Sequence, residues 1–182
     1  LAVELVAVLH KEFAGWRYVV STTTTTGMSV LRAKLPDSAR AIYYPIDWLP
    51  FVKSAFRTLK PSAIVLVEAE IWPNLFWEAN RTKAPLSLVN ARLSEKSFEG
   101  YCRFGFLFRP LFKSLKAVGV HNAIDADRVA SLGSAHEIIH VVGNMKFDGA
   151  SVLGKSELDA SALLAQLRVP KDAKVLVAGS TF

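Results

Sequence analysis

Ala63-Ile64-Val65-Leu66-Val67 runs without a break into Glu68-Ala69-Glu70-Ile71-Trp72-Pro73-Asn74. Five apolar residues in succession read as a parallel strand buried on both faces. Two carboxylates end that run. A helix over Ile71 to Arg81 then follows, with Pro73 in its first turn, where its missing N–H costs nothing. A buried strand feeding directly into a helix is half of a βαβ unit, and the rest of the chain repeats it.

On the N-terminal side, Leu1, Leu5, Val8 and Leu9 mark a helix over Leu1 to Phe13. Arg17 to Thr22 reads as a strand, and Thr26 to Leu35 as a helix ended by Pro36. Ala41 to Tyr44 is a short strand, and Leu49 to Leu59 a helix that stops before Pro61. On the C-terminal side, Pro85 to Val89, Ala117 to His121 and Ile138 to Val142 read as strands. Between them stand helices broken near Gly105 and Pro110 within Lys96 to Lys116, and a helix over Ala123 to Leu132. A helix over Ser156 to Leu167 and a strand over Val175 to Ala178 close the chain. This alternation predicts an α/β fold with a doubly wound parallel sheet. Ligands of such sheets sit outside the carboxyl ends of the strands, so the residues after each strand are the candidates.

Thr22 to Gly27 places Thr23 and its neighbours where hydroxyls can cap a helix or hold an anion. No Gly-x-Gly-x-x-Gly and no Walker loop occurs, so a standard dinucleotide or ATP site is not supported. Glu68 and Glu70 are suited to proton transfer or charge stabilisation beside an apolar wall, or one of them to capping the next helix. Arg92, after the fourth strand, can grip a carboxylate or phosphate, or pair with Glu68 or Glu70. Gly143-Asn144-Met145-Lys146 follows the sixth strand, and Lys146 is placed to meet negative charge.

The 182 residues carry 22 basic and 16 acidic side chains, a net charge of +6. Such a surface suits anionic partners. The window Lys96 to Lys116 sets five basic residues against Glu99 and interleaves Phe98, Tyr101, Phe104, Phe106, Phe108 and Phe112. That mixture suits an anionic membrane surface. No RNA- or DNA-binding signature accompanies it, so nucleic acid is not an expected partner. Cys102 is the single cysteine and is assigned a structural role. No apolar run reaches the roughly 18 residues needed to span a bilayer.

Thr22 to Gly27, Glu68 to Asn74 in the form Glu-x-Glu-x-Trp-Pro-Asn, Asn90 to Ser94 and Gly143 to Asp148 occur in an order that resembles the 3-deoxy-D-manno-octulosonic acid (Kdo) transferases. Tyr43-Tyr44-Pro45-Ile46-Asp47 and Ala178-Gly179-Ser180-Thr181 extend the likeness over essentially the whole chain. The resemblance implies the N-terminal half of a GT-B glycosyltransferase that moves Kdo from CMP-Kdo to a lipid A precursor at the cytoplasmic face of the bacterial inner membrane. It implies neither cofactor nor metal. It places residues 1–150 in the acceptor-side domain and 151–182 in a linker helix and the first strand of a donor-binding domain. It assigns Glu68 and Lys146 to transition-state stabilisation, and Glu70, Asn74, Arg92, Thr23 and Asn144 to substrate binding. The family's catalytic base is a Glu in a Ser-Val-Gly-Glu motif ahead of the helix matching Leu1 to Phe13. That motif is absent, so the first strand, the base and most of the CMP-Kdo site are expected outside this chain, which alone should be inactive. Phe182 replaces a frequent His, and the threonine run lacks the family's Pro. Two other readings of the same residues are an anionic-lipid-binding module and a different GT-B nucleotide-sugar enzyme.

Overall fold

The computed structural model describes residues 1–145 and Gln166. Lys146, the strand expected over Val175 to Ala178 and, Gln166 apart, the segment 151–182 lie outside the described residues. The order of elements is α1 (Ala2–Glu12), β1 (Tyr18–Thr22), α2 (Thr25–Lys34), β2 (Ala39–Tyr43), α3 (Leu49–Leu59), β3 (Ile64–Val67), α4 (Pro73–Thr82), β4 (Leu86–Ala91), α5 (Glu95–Arg103), α6 (Gly105–Ser114), β5 (Ala117–Val120), α7 (Ala123–Ser131) and, after a 3-10 turn at His136–Ile138, β6 (Ile139–Val141).

All strand pairs are parallel, as the α/β reading requires. They are divided between two sheets, β1-β2 and β3-β4-β5-β6. The expectation that β3 is buried on both faces is not met. β3 is an edge strand of its sheet, and Val65 is 43% exposed while Leu66 is buried. Alternate strand residues point to opposite faces. Leu66, Leu86, Leu88, Val118 and Val120 form the buried face, packed with Phe76 and Ala79 of α4, Leu111 and Phe112 of α6, and Val129 of α7. An unbroken apolar run shows that a strand is apolar on both sides, not that both sides are covered.

Local chemistry sets the helix ends. Thr24, Ser94 and Asn122 cap α2, α5 and α7, each side chain accepting a main-chain N–H three residues on. α3 and α4 stop at Lys60 and Lys83, whose left-handed backbone turns the chain out of the helix. The helical break expected at both Gly105 and Pro110 occurs once, at Phe104 between α5 and α6, and Pro110 remains inside α6. Pro110 removes the hydrogen bond to the carbonyl of Phe106. Phe106 is 84% exposed, on the side where water can meet that carbonyl.

α5 turns Phe98 and Tyr101 inward, and Phe108 and Phe112 of α6 pack beside them. The Tyr101 ring lies 4.6 Å from that of Phe108. Cys102 consequently points outward and is exposed. No described helix is long and apolar enough to cross a membrane.

Candidate active site

The carboxyl ends of the strands carry most of the candidate residues. Glu68 follows β3 in the left-handed region, with φ of +65°. A branched-chain-free but non-glycine residue there carries local strain of order 1 kcal/mol, and such strain gathers at functional sites. Its own N–H donates to the Val89 carbonyl at 2.9 Å, so the turn is tied to β4. Both Glu68 and Glu70 have exposed side chains. Glu70 accepts a hydrogen bond from the Trp72 indole N–H at 3.3 Å.

Neither glutamate caps α4. That task falls to Asp47, from the loop after β2. Its carboxylate accepts the N–H groups of Asn74 and Leu75, both at 3.1 Å. Asn74 Nδ2 in turn donates to the Asp47 carbonyl at 2.7 Å. The amide of Asn74, expected to contact substrate, thus holds the 44–48 loop in this structure. Tyr44 stacks on Trp72 with ring centres 5.2 Å apart. Burial, then the nearby Asp47 and Glu70 carboxylates, push its phenol well above the ordinary tyrosine range. From α5, Tyr101 approaches the Ala69 carbonyl at 3.4 Å, and its own burial likewise raises its pKa. The Glu68–Asn74 segment is therefore gripped from β2, β4 and α5 together.

The threonine turn divides its tasks. Thr24 is the cap, Thr22 Oγ1 lies 3.4 Å from the Thr24 N–H, and Thr23 is exposed at the strand end. A Cβ on Gly27 would stand 2.3 Å from Thr22 Oγ1, so only glycine fits there without rearrangement. Arg92 is exposed and, among the described residues, makes no ion pair with Glu68 or Glu70. Its position is set next door: Leu93 is buried, its N–H donates to Asp125 at 2.9 Å, and its carbonyl accepts from Arg128.

Sequence reasoning passed over two groups at this edge, Asn90 and His121. Asn90 is 1% exposed and has φ of +54°. The pairing of β4 with β5 shifts register between Leu88 and Ala91, the mark of a bulge. Asn90 Oδ1 receives the Met145 N–H at 3.0 Å and lies 2.9 Å from His121 Nε2. Asn144 is thereby carried to the same edge. An Asn at a strand end, where left-handed backbone is tolerated, was the available signal.

Among the described residues, no group of His, Cys, Asp and Glu gathers in an arrangement able to hold a metal ion. An open groove of about 370 Å³ lies elsewhere, lined by Pro50, Lys53 and Arg57 of α3 and Glu78 and Arg81 of α4. The Arg81 guanidinium binds the buried Glu78 carboxylate at 2.6 and 2.9 Å. That hydrogen bonding holds Glu78 below the usual carboxylate range. The groove is thus built around an ion pair, and the exposed candidates Glu68, Glu70 and Arg92 lie instead after β3 and β4, with Thr23 after β1.

Parallel strands joined by crossover helices, with polar side chains at their carboxyl edge, define a Rossmann-like domain. Residues 1–149 match the family model described as 3-Deoxy-D-manno-octulosonic-acid transferase (kdotransferase), and the chain belongs to that family. It is similar to a bifunctional glycosyltransferase/methyltransferase of Fusobacterium nucleatum, 32% identical across 90% of this chain and 26% of the relative. It is similar also to the 3-deoxy-D-manno-octulosonic acid transferases of Chlamydia pneumoniae, at 31% across 97% of this chain and 41% of the relative, and of Haemophilus influenzae, at 29% across 81% and 34%. The chain therefore spans less than half the length of these curated relatives.

Proposed function

We propose that this chain forms the acceptor-side domain of a glycosyltransferase that moves Kdo from CMP-Kdo onto a lipid A precursor. The observation that carries the reading is Glu68, exposed at a strand end in a strained backbone conformation, its N–H tied to Val89 of β4 and the segment after it held by Tyr101 and Asp47. In an oxocarbenium-like transition state positive charge builds at the anomeric carbon, and a fixed carboxylate lowers its energy. Negative charge builds on the departing nucleotide, and Lys146 is the group to meet it. Glu70, Arg92 and Asn144, after strands of the four-stranded sheet, and Thr23, after β1, are the groups for contacts to sugar hydroxyls and carboxylates. Asn74 shapes that edge through Asp47. No cofactor or metal enters the proposal, and the proton acceptor and the donor nucleotide's main contacts belong to other parts of a full-length enzyme.

The acceptor is a lipid, so the domain works against an anionic membrane, at the cytoplasmic face of the bacterial inner membrane. Exposed aromatic and basic side chains support this. Phe104 and Phe106 stand out beside Arg103 and Arg109, which with Cys102 line a shallow surface depression. The remaining aromatics of the Lys96–Lys116 window pack against the core, so the lipid-facing part of that window is narrower than its composition implies. A second exposed group, Ile46, Trp48 and Phe51, adjoins Lys53 at the start of α3.

The test is transfer by a protein of the relatives' full length that carries residues 1–182 as its corresponding part. CMP-Kdo-dependent modification of a lipid A precursor is expected, with a large fall in kcat for Glu68→Ala and for Lys146→Ala. A folded full-length protein that leaves the lipid unmodified refutes the proposal.

A further inference from the structure

Three strand ends meet at one side chain. Asn90 sits on the β4 bulge, and its left-handed backbone aims the side chain across the ends of β5 and β6. The Met145 N–H can only donate, so the Asn90 atom 3.0 Å away must be the amide oxygen. His121 Nε2 lies 2.9 Å from that same oxygen, and it too must therefore carry a hydrogen. One acceptor thus holds two donors, and the tautomer of His121 follows from the geometry. The main-chain N–H of His121 donates separately to the Ala91 carbonyl at 3.2 Å, which anchors the residue's backbone to β4. Between the end of β6 and Met145 the chain turns at Gly143, with φ of +78° and open space around its α-carbon. A side chain at Gly143 would meet no neighbour, and the Asn90 contact ties the far end of the turn, at Met145, to the sheet.

We propose that Asn90 is a positioning residue for transfer, which together with His121 as an Nε2–H donor clamps the Gly143–Met145 turn to the carboxyl edge of the sheet. The proposal rests on the transferase reading for its catalytic consequence, since Asn144 lies in the clamped turn and Lys146 is the next residue. The clamp itself can be measured apart from catalysis. It demands an acceptor at position 90 and a donor at position 121. Asn90→Asp keeps the acceptor and Asn90→Gly removes it, and both residues tolerate a positive φ. His121→Gln keeps an amide donor and His121→Ala removes it.

The experiment is nitrogen-15 NMR of the 182-residue chain at pH about 7.5, where an ordinary histidine is neutral. The His121 ring is expected to show the Nε2–H tautomer. Hydrogen exchange at the Met145 amide should quicken about tenfold in Asn90→Gly, less in His121→Ala, and stay near the parent rate in Asn90→Asp and His121→Gln. An Nδ1–H tautomer, or unchanged Met145 exchange in Asn90→Gly, overturns the clamp. If Asn90→Gly does not fold, the parent tautomer and the His121 pair decide the matter. In the full-length enzyme, Asn90→Gly should lower kcat about tenfold or more with little change in KM for the lipid, and Asn90→Asp should restore it. A loosened turn with unchanged kcat overturns the positioning role. A tight turn in a full-length protein that transfers nothing counts against the transferase reading and leaves the clamp standing.

Discussion

Asp47 and Asn74 hold each other by a reciprocal exchange: the Asp47 carboxylate takes the Asn74 N–H at 3.1 Å, and Asn74 Nδ2 returns a bond to the Asp47 carbonyl at 2.7 Å. The pair joins the loop after β2 to the first turn of α4. It is also a helix cap supplied from 27 residues away in the chain. Asp47→Ala should therefore cost about 1–2 kcal/mol, the usual worth of a lost cap. Asp47→Asn should cost less, since it keeps one acceptor oxygen. Chemical denaturation of the three proteins checks both values, and an unperturbed Asp47→Ala midpoint would show that the cap carries no stability.

Glu68 should trade stability for chemistry. At φ of +65° a glycine relaxes and an alanine does not. Glu68→Gly is thus expected to be more stable than Glu68→Ala by about 1 kcal/mol. Both should be severely impaired in transfer within a full-length enzyme. Equal stability of the two variants would mean that the backbone at this position is not strained in solution.

Gly27 should resist any side chain. Its missing Cβ would meet Thr22 Oγ1 at 2.3 Å and Thr24 Oγ1 at 2.8 Å. Gly27→Ala should cost about 1–3 kcal/mol, as overpacking does, despite the better helix propensity of alanine. A thermal melt that matches the parent would exclude the clash.

The Glu78–Arg81 pair should make the fold sensitive to acid. Hydrogen bonding to Arg81 depresses the folded pKa of Glu78. Its contribution is therefore complete above the unfolded value of about 4.3 and is lost as pH falls through the lower folded value. Arg81→Ala removes the largest cause that lowers the Glu78 pKa and leaves burial, which raises it, opposed by the Lys53 and Arg57 charges. The pair's contribution should then vanish, and the loss of stability on acidification should be smaller than in the parent. Unfolding midpoints across about pH 3 to 7 test this, and parallel curves for parent and variant would contradict it.

Membrane contact should depend on Phe106. Phe106→Ser with Phe104→Ser is expected to weaken sedimentation with anionic liposomes severalfold while lowering the melting temperature only a little, because Phe106 is 84% and Phe104 50% exposed. Raising the salt should weaken the parent's binding further, as the Arg103 and Arg109 contribution is screened. Binding that ignores both the substitutions and the salt would remove this surface from the proposal.

The elements that proved legible in the sequence are those whose signals are local. α3 runs over Leu49–Leu59 as read, because its apolar spacing lies within the segment and Pro61 stands just beyond its end. The strand ends were legible as a place, through the change from apolar to charged residues at Glu68. What escaped were relations between distant residues. Nothing around Pro73 announces that its helix is capped by Asp47, and nothing around Asn90 announces a bulge that binds Met145, 55 residues on. The inward face of α5 escaped for the same reason, since it is decided by where Phe108 and Phe112 lie. The exposure of Val65 depends on sheet order, which no property of β3 by itself encodes.

That sheet order has a practical consequence. β3 presents one unpaired main-chain edge among the described residues, and Val65 stands on it 43% exposed. Backbone N–H and C=O groups along such an edge are a template on which another extended segment can lay itself down. Nothing on β3 discourages this: its four residues are all apolar, with neither lysine nor proline among them. Handled by itself at high concentration, the domain should self-associate through this strand. A single lysine at position 65 should then do more for its solubility than any change to its charged surface.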